Sequence, residues 1–343
     1  MTTLPQSMFA TVLLHDGFTG SPTGPYIDDA GDWLAEAELP VPEPGPGQVL
    51  IKLRAASVNP SDIHFIKGEY GQPRVKGAAA GFEGCGDVVA TGKGAEALQD
   101  QRVAFVTGGS GAWAEYVLAP AIMCIPLRPE ISDEDGAAQI VNPLTAMAMV
   151  DIARASGDAF VLSAATSQLG KLMCSLGRDL GLKPIALVRR PETVEALKEL
   201  GAAEVLVTTH PNVVQDFSQI CKDLKPRVFL DAVVDQLSEQ VFCAMPNQAR
   251  WICYGKLSAE APTLTQSGQL IFMGKQIEGF WLTNWVTSTP PEVQARVVAE
   301  VQARFADGRW KTDISERLSL KALVPNLASA LKKSGGKVII TPQ

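Results

Sequence analysis

Residues 159–177, AFVLSAATSQLGKLMCSLG, run from an apolar strand pattern through small side chains into a helix pattern. Ala165, Ser167 and Gly170 stand at the spacing where a dinucleotide-binding fingerprint places three glycines, and Thr166, Gln168 and Leu169 complete the turn. Small side chains there let the backbone approach a pyrophosphate, whose charge is met by the N-terminus of the following helix. Two of the three glycines are replaced, so a tight strand-to-helix packing turn fits the same residues. Nineteen residues beyond Gly170 the next strand pattern ends as IALVRR. An NAD site carries an acidic residue there to accept from the ribose 2′-hydroxyl, whereas Arg189 and Arg190 suit a 2′-phosphate. The expected cofactor is therefore NADPH. A solvated basic loop end is the alternative, and it implies only weak cofactor preference.

A second stretch, GFEGCGDVVATG (81–92), poses the question of a metal. A histidine at position 82 beside Glu83 would suggest a catalytic zinc site, but Phe82 offers no donor atom. The six cysteines, Cys85, Cys124, Cys174, Cys221, Cys243 and Cys253, are scattered without a CxxC and read as buried reduced thiols. No metal is expected, and Glu83 reads as a hydrogen-bonded structural carboxylate. Further along, Tyr254 and Gly255 end the strand pattern RWICYG, where open α/β sheets present backbone to a ligand. Phe280, Trp281 and Trp285 follow; they suit an apolar pocket wall for a flat substrate, and equally an interdomain core or a dimer contact.

The elements that must position these residues fall into two classes along a chain of 343 residues, long enough for two domains. Up to about Arg128, short alternating strand patterns such as VLIKLRAASV, GDVVAT, QRVAFV and AEYVLA lie between glycine-rich and proline-rich turns. That pattern describes a β-rich, barrel-like domain. From Ser132 a capped helix pattern begins, SDEDGAAQIVNPLTAMAMVDIARA, and strands then alternate with helices as AFVLSAA, PIALV, EVLVT, RVFLDAV and RWICYG. Such alternation implies right-handed βαβ units and a doubly wound parallel sheet. A closing helix pattern and KVIIT return to the first domain, giving borders of 1–139 with 287–343, and 140–286. GSPTGPYIDDAGDW (20–33), within an insertion spanning 17–35, is the most loop-like stretch and carries no readable role.

With 46% hydrophobic and 20% charged residues the composition is that of a globular protein. A net charge of −7 argues against nucleic acid or an anionic membrane as partner. The start, MTTLPQSMFATVLLHDG, has no basic residue ahead of its short apolar run, and no stretch approaches the ~20 apolar residues of a membrane span. A cytoplasmic location is expected.

AASVNPSDIHFIKGEYG, GFEGCGDVVATG, GAWAEYVLAP, VNPLTAMA, SAATSQLG and GKVII occur in the order found in the medium-chain dehydrogenase/reductase superfamily, which the chain resembles over nearly its whole length. Within it the chain looks most like the zinc-independent quinone oxidoreductases, with local similarity to enoyl-thioester reductases in NPSDIHFIKGEY, in AATSQLG with VRR, and in EGFWLTNW. The resemblance implies a GroES-like barrel domain with a Rossmann domain, and a homodimer formed through the latter. Zinc alcohol dehydrogenases of the superfamily carry Cys at the place of Asn59, His at Phe82 and another Cys near Asn142, and their Cys-rich zinc lobe has no counterpart between Val89 and Val117.

By the same resemblance Tyr70 is a candidate proton donor or an aromatic wall. Asn59 and Thr145 lie in motifs beside the nicotinamide, with turn capping the alternative for Asn59, and Phe280 and Trp281 join the cofactor site. Lys337 matches a position near the cofactor, and His64 one used for proton relay in some zinc relatives. The reading is an NADPH-dependent oxidoreductase that transfers hydride to a small electrophilic acceptor, most simply a quinone, because a conjugated acceptor needs no Lewis acid. Reduction of the double bond of an enone or 2-enoyl thioester is the alternative, for which Arg74 and Lys76 would begin a basic entry track. A noncatalytic NADPH-binding sensor or structural protein is the reading of another class.

Overall fold

The computed structural model describes residues 4–19 and 23–343, so residues 20–22 of the loop-like stretch lie outside the described residues. The chain divides into two compact units, residues 1–141 with 302–343, and residues 142–301. The first is the β-rich, GroES-like unit and the second a doubly wound α/β unit.

In the first unit the strand Gln48–Ser57 is the organising element. Val49, Ile51 and Leu53 enter the core on one face, while Lys52 and Arg54 are exposed on the other. It pairs antiparallel with Glu83–Thr91, with Tyr116–Pro120 and with the C-terminal strand Lys337–Thr341. The last pairing stitches the two ends of the chain together and brings residue 337 beside residues 57–59. Phe65, Phe105, Trp113 and, from the helix Leu320–Leu331, Leu323 and Leu327 fill the core. That helix contains Pro325, a residue that argues against a helix from sequence, and it joins the core through Leu320, Leu323, Leu327 and Ala330.

The glycines of GFEGCGDVVATG are explained by close approach. A Cβ on Gly86 would lie 2.2 Å from the carbonyl oxygen of Lys52, one on Gly84 2.8 Å from that of Ala55, and one on Gly92 1.8 Å from that of Gly45. Gly81 has a φ of +85° and faces Trp113, whose Cδ1 a Cβ would meet at 2.2 Å. The run is a strand shaped for packing.

The single helix pattern from Ser132 resolves into two helices, Asp133–Ala137 and Val141–Ser156, and Val141 N, one of the N–H groups that the start of a helix leaves unpaired, donates to Glu83 Oε2 at 2.8 Å. In the second unit six parallel strands lie in the order Glu204–Val207, Lys183–Val188, Ala159–Leu162, Val228–Asp231, Arg250–Cys253 and Gln276–Gly279. The topological switch point falls between Ala159–Leu162 and Val228–Asp231, where such sheets bind ligands at their carboxyl ends. The second unit extends to residue 301 rather than to the sequence border at 286, so it takes most of the helix Pro291–Ala306, whose last turn belongs to the first unit: Gln302 Oε1 accepts from Arg128 N at 3.1 Å, and its Nε2 donates to Pro126 O at 2.8 Å.

Replacing Gly86 by Val should lower stability by about 3 kcal/mol through overpacking against the Lys52 carbonyl. A urea titration followed by tryptophan fluorescence measures this, and an unchanged midpoint contradicts the close-approach explanation.

Candidate functional site

In the first unit the candidate residues gather around a buried charge cluster. Pro60 opens the helix Pro60–Ile66 and places Asn59 at its N-cap with Asp62 in the first turn. Asn59 Nδ2 donates to Glu83 Oε1 at 2.8 Å, and Lys337 Nζ donates to Asn59 Oδ1 at 2.5 Å. A carboxylate takes only donors and an ammonium only acceptors, so the amide orientation is fixed by its neighbours. Ser57 Oγ also donates to Glu83 Oε1, at 2.7 Å, and Val141 N occupies Oε2. Lys337 Nζ stands 3.9 Å from Glu83 Oε1. Asp62 accepts from Asn59 N at 2.7 Å and Phe82 N at 2.9 Å, which ties the helix to the strand that carries Glu83.

All four polar side chains are buried: Asn59, Asp62, Glu83 and Lys337 are between 0% and 6% exposed. Burial pushes the Asp62 carboxyl up to about 7, helped by the Glu83 charge and opposed by the Asn59 and Phe82 N–H groups and by Lys337. Burial likewise holds the Lys337 ammonium below the usual lysine range, against the pull of Glu83 and Asp62. Phe82 turns its ring onto Phe65, at 5.0 Å between centroids, and Tyr70 lies over Phe82 at 5.3 Å. His64 Nδ1 is 3.1 Å from Glu69 Oε2.

In the second unit the turn at the switch point is built by Asp231 and Ser163. Ser163 Oγ donates to Asp231 Oδ1 at 2.5 Å, and Trp251 Nε1 and Val234 N donate to Oδ2 at 2.9 and 3.1 Å. Asp231 therefore holds the strand ends together, as its place at a strand terminus suggests. Ala164 takes a left-handed φ of +48°, and Ser167 Oγ caps the helix Gln168–Asp179 by accepting from Gly170 N at 3.0 Å. A Cβ on Gly170 would sit 2.6 Å from the Ala165 carbonyl oxygen. The helix thus presses on the turn, and of the three small positions Gly170 is the one sterics demand. Ala165 is fully buried, Gln168 buried, Thr166 and Leu169 half-buried, and Ser167 exposed.

Arg189 and Arg190 follow the second strand directly, exposed and half-buried, with Arg190 Nε 3.9 Å from Glu192. Gly255 packs against Ala232, whose carbonyl oxygen a Cβ would meet at 2.9 Å. Tyr254 seals its hydroxyl inside the unit without a hydrogen-bond partner, and its backbone N donates to Asp231 O at 2.9 Å. Thr145 is buried on the helix Val141–Ser156, and Phe280, Trp281 and Trp285 are half-buried. Arg74 is spent within the fold: its guanidinium donates to the carbonyl oxygens of Ile66, Gly17 and Asp16 at 2.9, 3.1 and 3.2 Å, so it does not begin a basic track, while Lys76 is exposed. All six cysteines are free thiols, and burial pushes Cys124, Cys174, Cys221 and Cys253 up to about 12 and Cys243 to about 11. Among the described residues no group of three or more His, Cys, Asp or Glu side chains is placed to hold a metal ion.

Residues 45–129 match the alcohol dehydrogenase GroES-like domain, and residues 169–301 match the zinc-binding dehydrogenase model. The chain is 32% identical over 252 residues to the mitochondrial enoyl-[acyl-carrier-protein] reductase of Rattus norvegicus, spanning 71% of this chain and 67% of that protein. The chain belongs to the medium-chain dehydrogenase/reductase superfamily. A crystal structure from Mesorhizobium loti, of a protein provisionally named an NADPH:quinone reductase, is 46% identical with a TM-score of 0.95 over 99% of this chain and 100% of that one. The mitochondrial 2-enoyl thioester reductase heterodimer of Candida tropicalis is similar in fold, with 23% identity and a TM-score of 0.80 over 98% and 99% of the two chains. As a member of this superfamily the protein is an oxidoreductase.

The Asp62 shift has a testable sign. Its folded pKa exceeds the unfolded value, so folding takes up a proton between pH ~4 and ~7 and Asp62's contribution to stability falls as pH rises through that window. The stability of Asp62→Asn relative to the parent should therefore be lower at pH 5 than at pH 8, read from urea midpoints. A pH-independent difference would show that Asp62 titrates like an exposed carboxylate.

Proposed function

We propose that the protein is an NADPH-dependent reductase that delivers hydride to an electron-poor acceptor, a quinone in the first instance. The observation that carries this reading is the full-length similarity to the Mesorhizobium loti protein, provisionally named an NADPH:quinone reductase. The bound nicotinamide supplies the hydride. The residues of this chain fit the rest of that cofactor: the small turn Ala165–Gly170 at the switch point suits a pyrophosphate, and Arg189 and Arg190 suit the 2′-phosphate. In the first unit Asn59, with its amide held between Glu83 and Lys337, is assigned to the nicotinamide, and in the second unit Thr145 and the backbone of Tyr254 and Gly255 are assigned to it. Phe280, Trp281 and Trp285 wall the pocket for a flat acceptor.

Phe82 and Asn59 stand where the zinc relatives have ligands, Phe82 is packed among aromatic rings, and both oxygens of Glu83 are engaged. An acceptor that is already conjugated suits such a site, since hydrogen bonds and positioning can stabilise the oxygen on which charge develops. Tyr70 is the residue we assign to protonate that oxygen. A second reading, reduction of a 2-enoyl thioester, is favoured by the identity to the rat enoyl-[acyl-carrier-protein] reductase. Against a long phosphate-bearing thioester stands the capture of Arg74 by backbone carbonyls.

Purified protein treated with chelator should oxidise NADPH with an ortho-quinone, faster than NADH and faster than with a 2-enoyl-CoA. Arg189→Ala with Arg190→Ala should raise KM for NADPH at least about 10-fold while leaving NADH turnover unchanged, the effect of losing charge-assisted contacts to one phosphate. Turnover with the enoyl thioester alone would replace the quinone reading by the second one. Cofactor binding without turnover on either acceptor would point to the noncatalytic class.

We also propose a cytoplasmic homodimer formed through the second unit. Gln276–Gly279 is an edge strand, and beside it in sequence Ile271 and Phe272 are 76% and 85% exposed, with Ile277 40% exposed. An exposed apolar edge of this kind is normally covered. No helix among the described residues is long and apolar enough to cross a membrane. Light scattering should give twice the 36.5 kDa chain mass, and Ile271→Asp with Phe272→Asp should return it to one chain. A monomeric parent protein rules the dimer out.

A further inference from the structure

The insertion spanning 17–35 has no role readable in sequence, and its described residues grip the segment that carries Tyr70. Lys67, just past the helix Pro60–Ile66, is 4% exposed. Its Nζ donates to Thr23 Oγ1 at 2.5 Å, to Gly24 O at 2.6 Å and to Tyr26 O at 3.1 Å, and lies 3.0 Å from Glu69 Oε1. The same Glu69 oxygen accepts from Thr23 N at 2.8 Å and Thr23 Oγ1 at 3.2 Å, while Oε2 faces His64 Nδ1 at 3.1 Å. The Glu69 side chain is 1% exposed. A buried ammonium and a buried carboxylate are tolerable only when their hydrogen-bonding capacity is filled, and here the filling groups come from the strap Thr23–Tyr26, more than 40 residues away.

The other end is held in the same way. Arg74, 6% exposed, donates to carbonyls of Asp16 and Gly17, and Gly17 and Arg74 exchange backbone hydrogen bonds at 3.0 and 3.2 Å. Thr19 N adds a bond to Gly68 O at 2.9 Å. The segment 66–74 is therefore clamped on both sides of Tyr70, whose immediate neighbour Glu69 is the buried anchor. Fixing a loop in this way removes backbone freedom that a proton donor would otherwise have to lose at each turnover.

We propose that Lys67, Glu69 and the strap Thr23–Tyr26 are positioning elements for Tyr70, holding its ring on Phe82 and its hydroxyl where the reduced acceptor takes up a proton. This rests on the assignment of Tyr70 as proton donor. A purely structural role would lower stability and leave the chemistry of folded enzyme intact. A positioning role predicts coupling with Tyr70.

The test is a double-mutant cycle on kcat with NADPH and the ortho-quinone, using Lys67→Met, Tyr70→Phe and the pair, with NADPH affinity measured by fluorescence titration. Lys67→Met should lower kcat by about 10- to 100-fold, the scale of a small misplacement of a reacting group, with NADPH affinity unchanged. In the Tyr70→Phe background the same change should have no further effect. Thr23→Val, which removes one hydroxyl and keeps the ion pair, should show a smaller loss with the same dependence on Tyr70, and serves where Lys67→Met does not fold. If Tyr70→Phe slows turnover but the strap variants have no effect, or an equal effect in both backgrounds, the positioning role is overturned while the Tyr70 assignment stands. If Tyr70→Phe leaves turnover unchanged, the Tyr70 assignment itself fails and the positioning role falls with it.

Discussion

The burial of Lys337 is the constraint on which the arrangement of the first unit depends. An ammonium removed from water is sustained only by acceptors already in place, and here these are Asn59 Oδ1, the Val58 carbonyl oxygen at 3.5 Å and, at longer range, the Glu83 carboxylate. Those groups come from distant parts of the chain. They meet because Lys337–Thr341 pairs with Gln48–Ser57, which in turn pairs with Glu83–Thr91. The close approach of the last two strands requires side chains no larger than hydrogen at Gly84 and Gly86. Sheet order, glycine placement and the charge cluster are one requirement seen at three scales.

The second unit solves a related problem around a single buried carboxyl group. At its switch point the strand ends are drawn together by Asp231, which gathers the Ser163 hydroxyl, the Trp251 indole and two backbone N–H groups. Above it the turn is closed by Ser167 and by the contact of Gly170 with Ala165. The fingerprint departs from three glycines where a methyl or hydroxymethyl group can be housed, and keeps glycine where the helix meets the turn. Sequence spacing alone left a packing turn and a phosphate turn as equal readings. The structure explains why: the same small residues serve the packing of helix on strand whatever is bound outside it.

Legibility followed physical locality. The alternation of strands and helices from Ala159 onward predicts the parallel sheet, since each βαβ unit is encoded in contiguous residues. The helix Leu320–Leu331 was hidden by Pro325, because local propensity speaks against it and tertiary burial decides for it. The break before Val141 was likewise hidden, and the N–H that opens the second helix finds its acceptor, Glu83, on another element. Glu83 was read correctly as a bonded carboxylate, but its partners Ser57, Asn59 and Val141 could not be listed without the register of the sheet. Arg74 shows the converse error. A cation in a glycine- and proline-bearing loop looks available for a ligand, yet three backbone carbonyls had already taken it.

Asn59 and Phe82 bring an amide and an aromatic ring to a cluster whose buried titratable groups are Asp62, Glu83 and Lys337. Two carboxyl groups, Asp62 and Glu83, share the one ammonium of Lys337. Burial lifts the Asp62 carboxyl to about 7, so its surroundings favour the protonated form over the charged one. Because Asp62 binds the backbone of both Asn59 and Phe82, its proton alters the groups that hold the helix to the strand, and the field felt beside Asn59 changes with it. The same carboxyl is thus both a link between helix and strand and the group whose charge the burial of the cluster opposes.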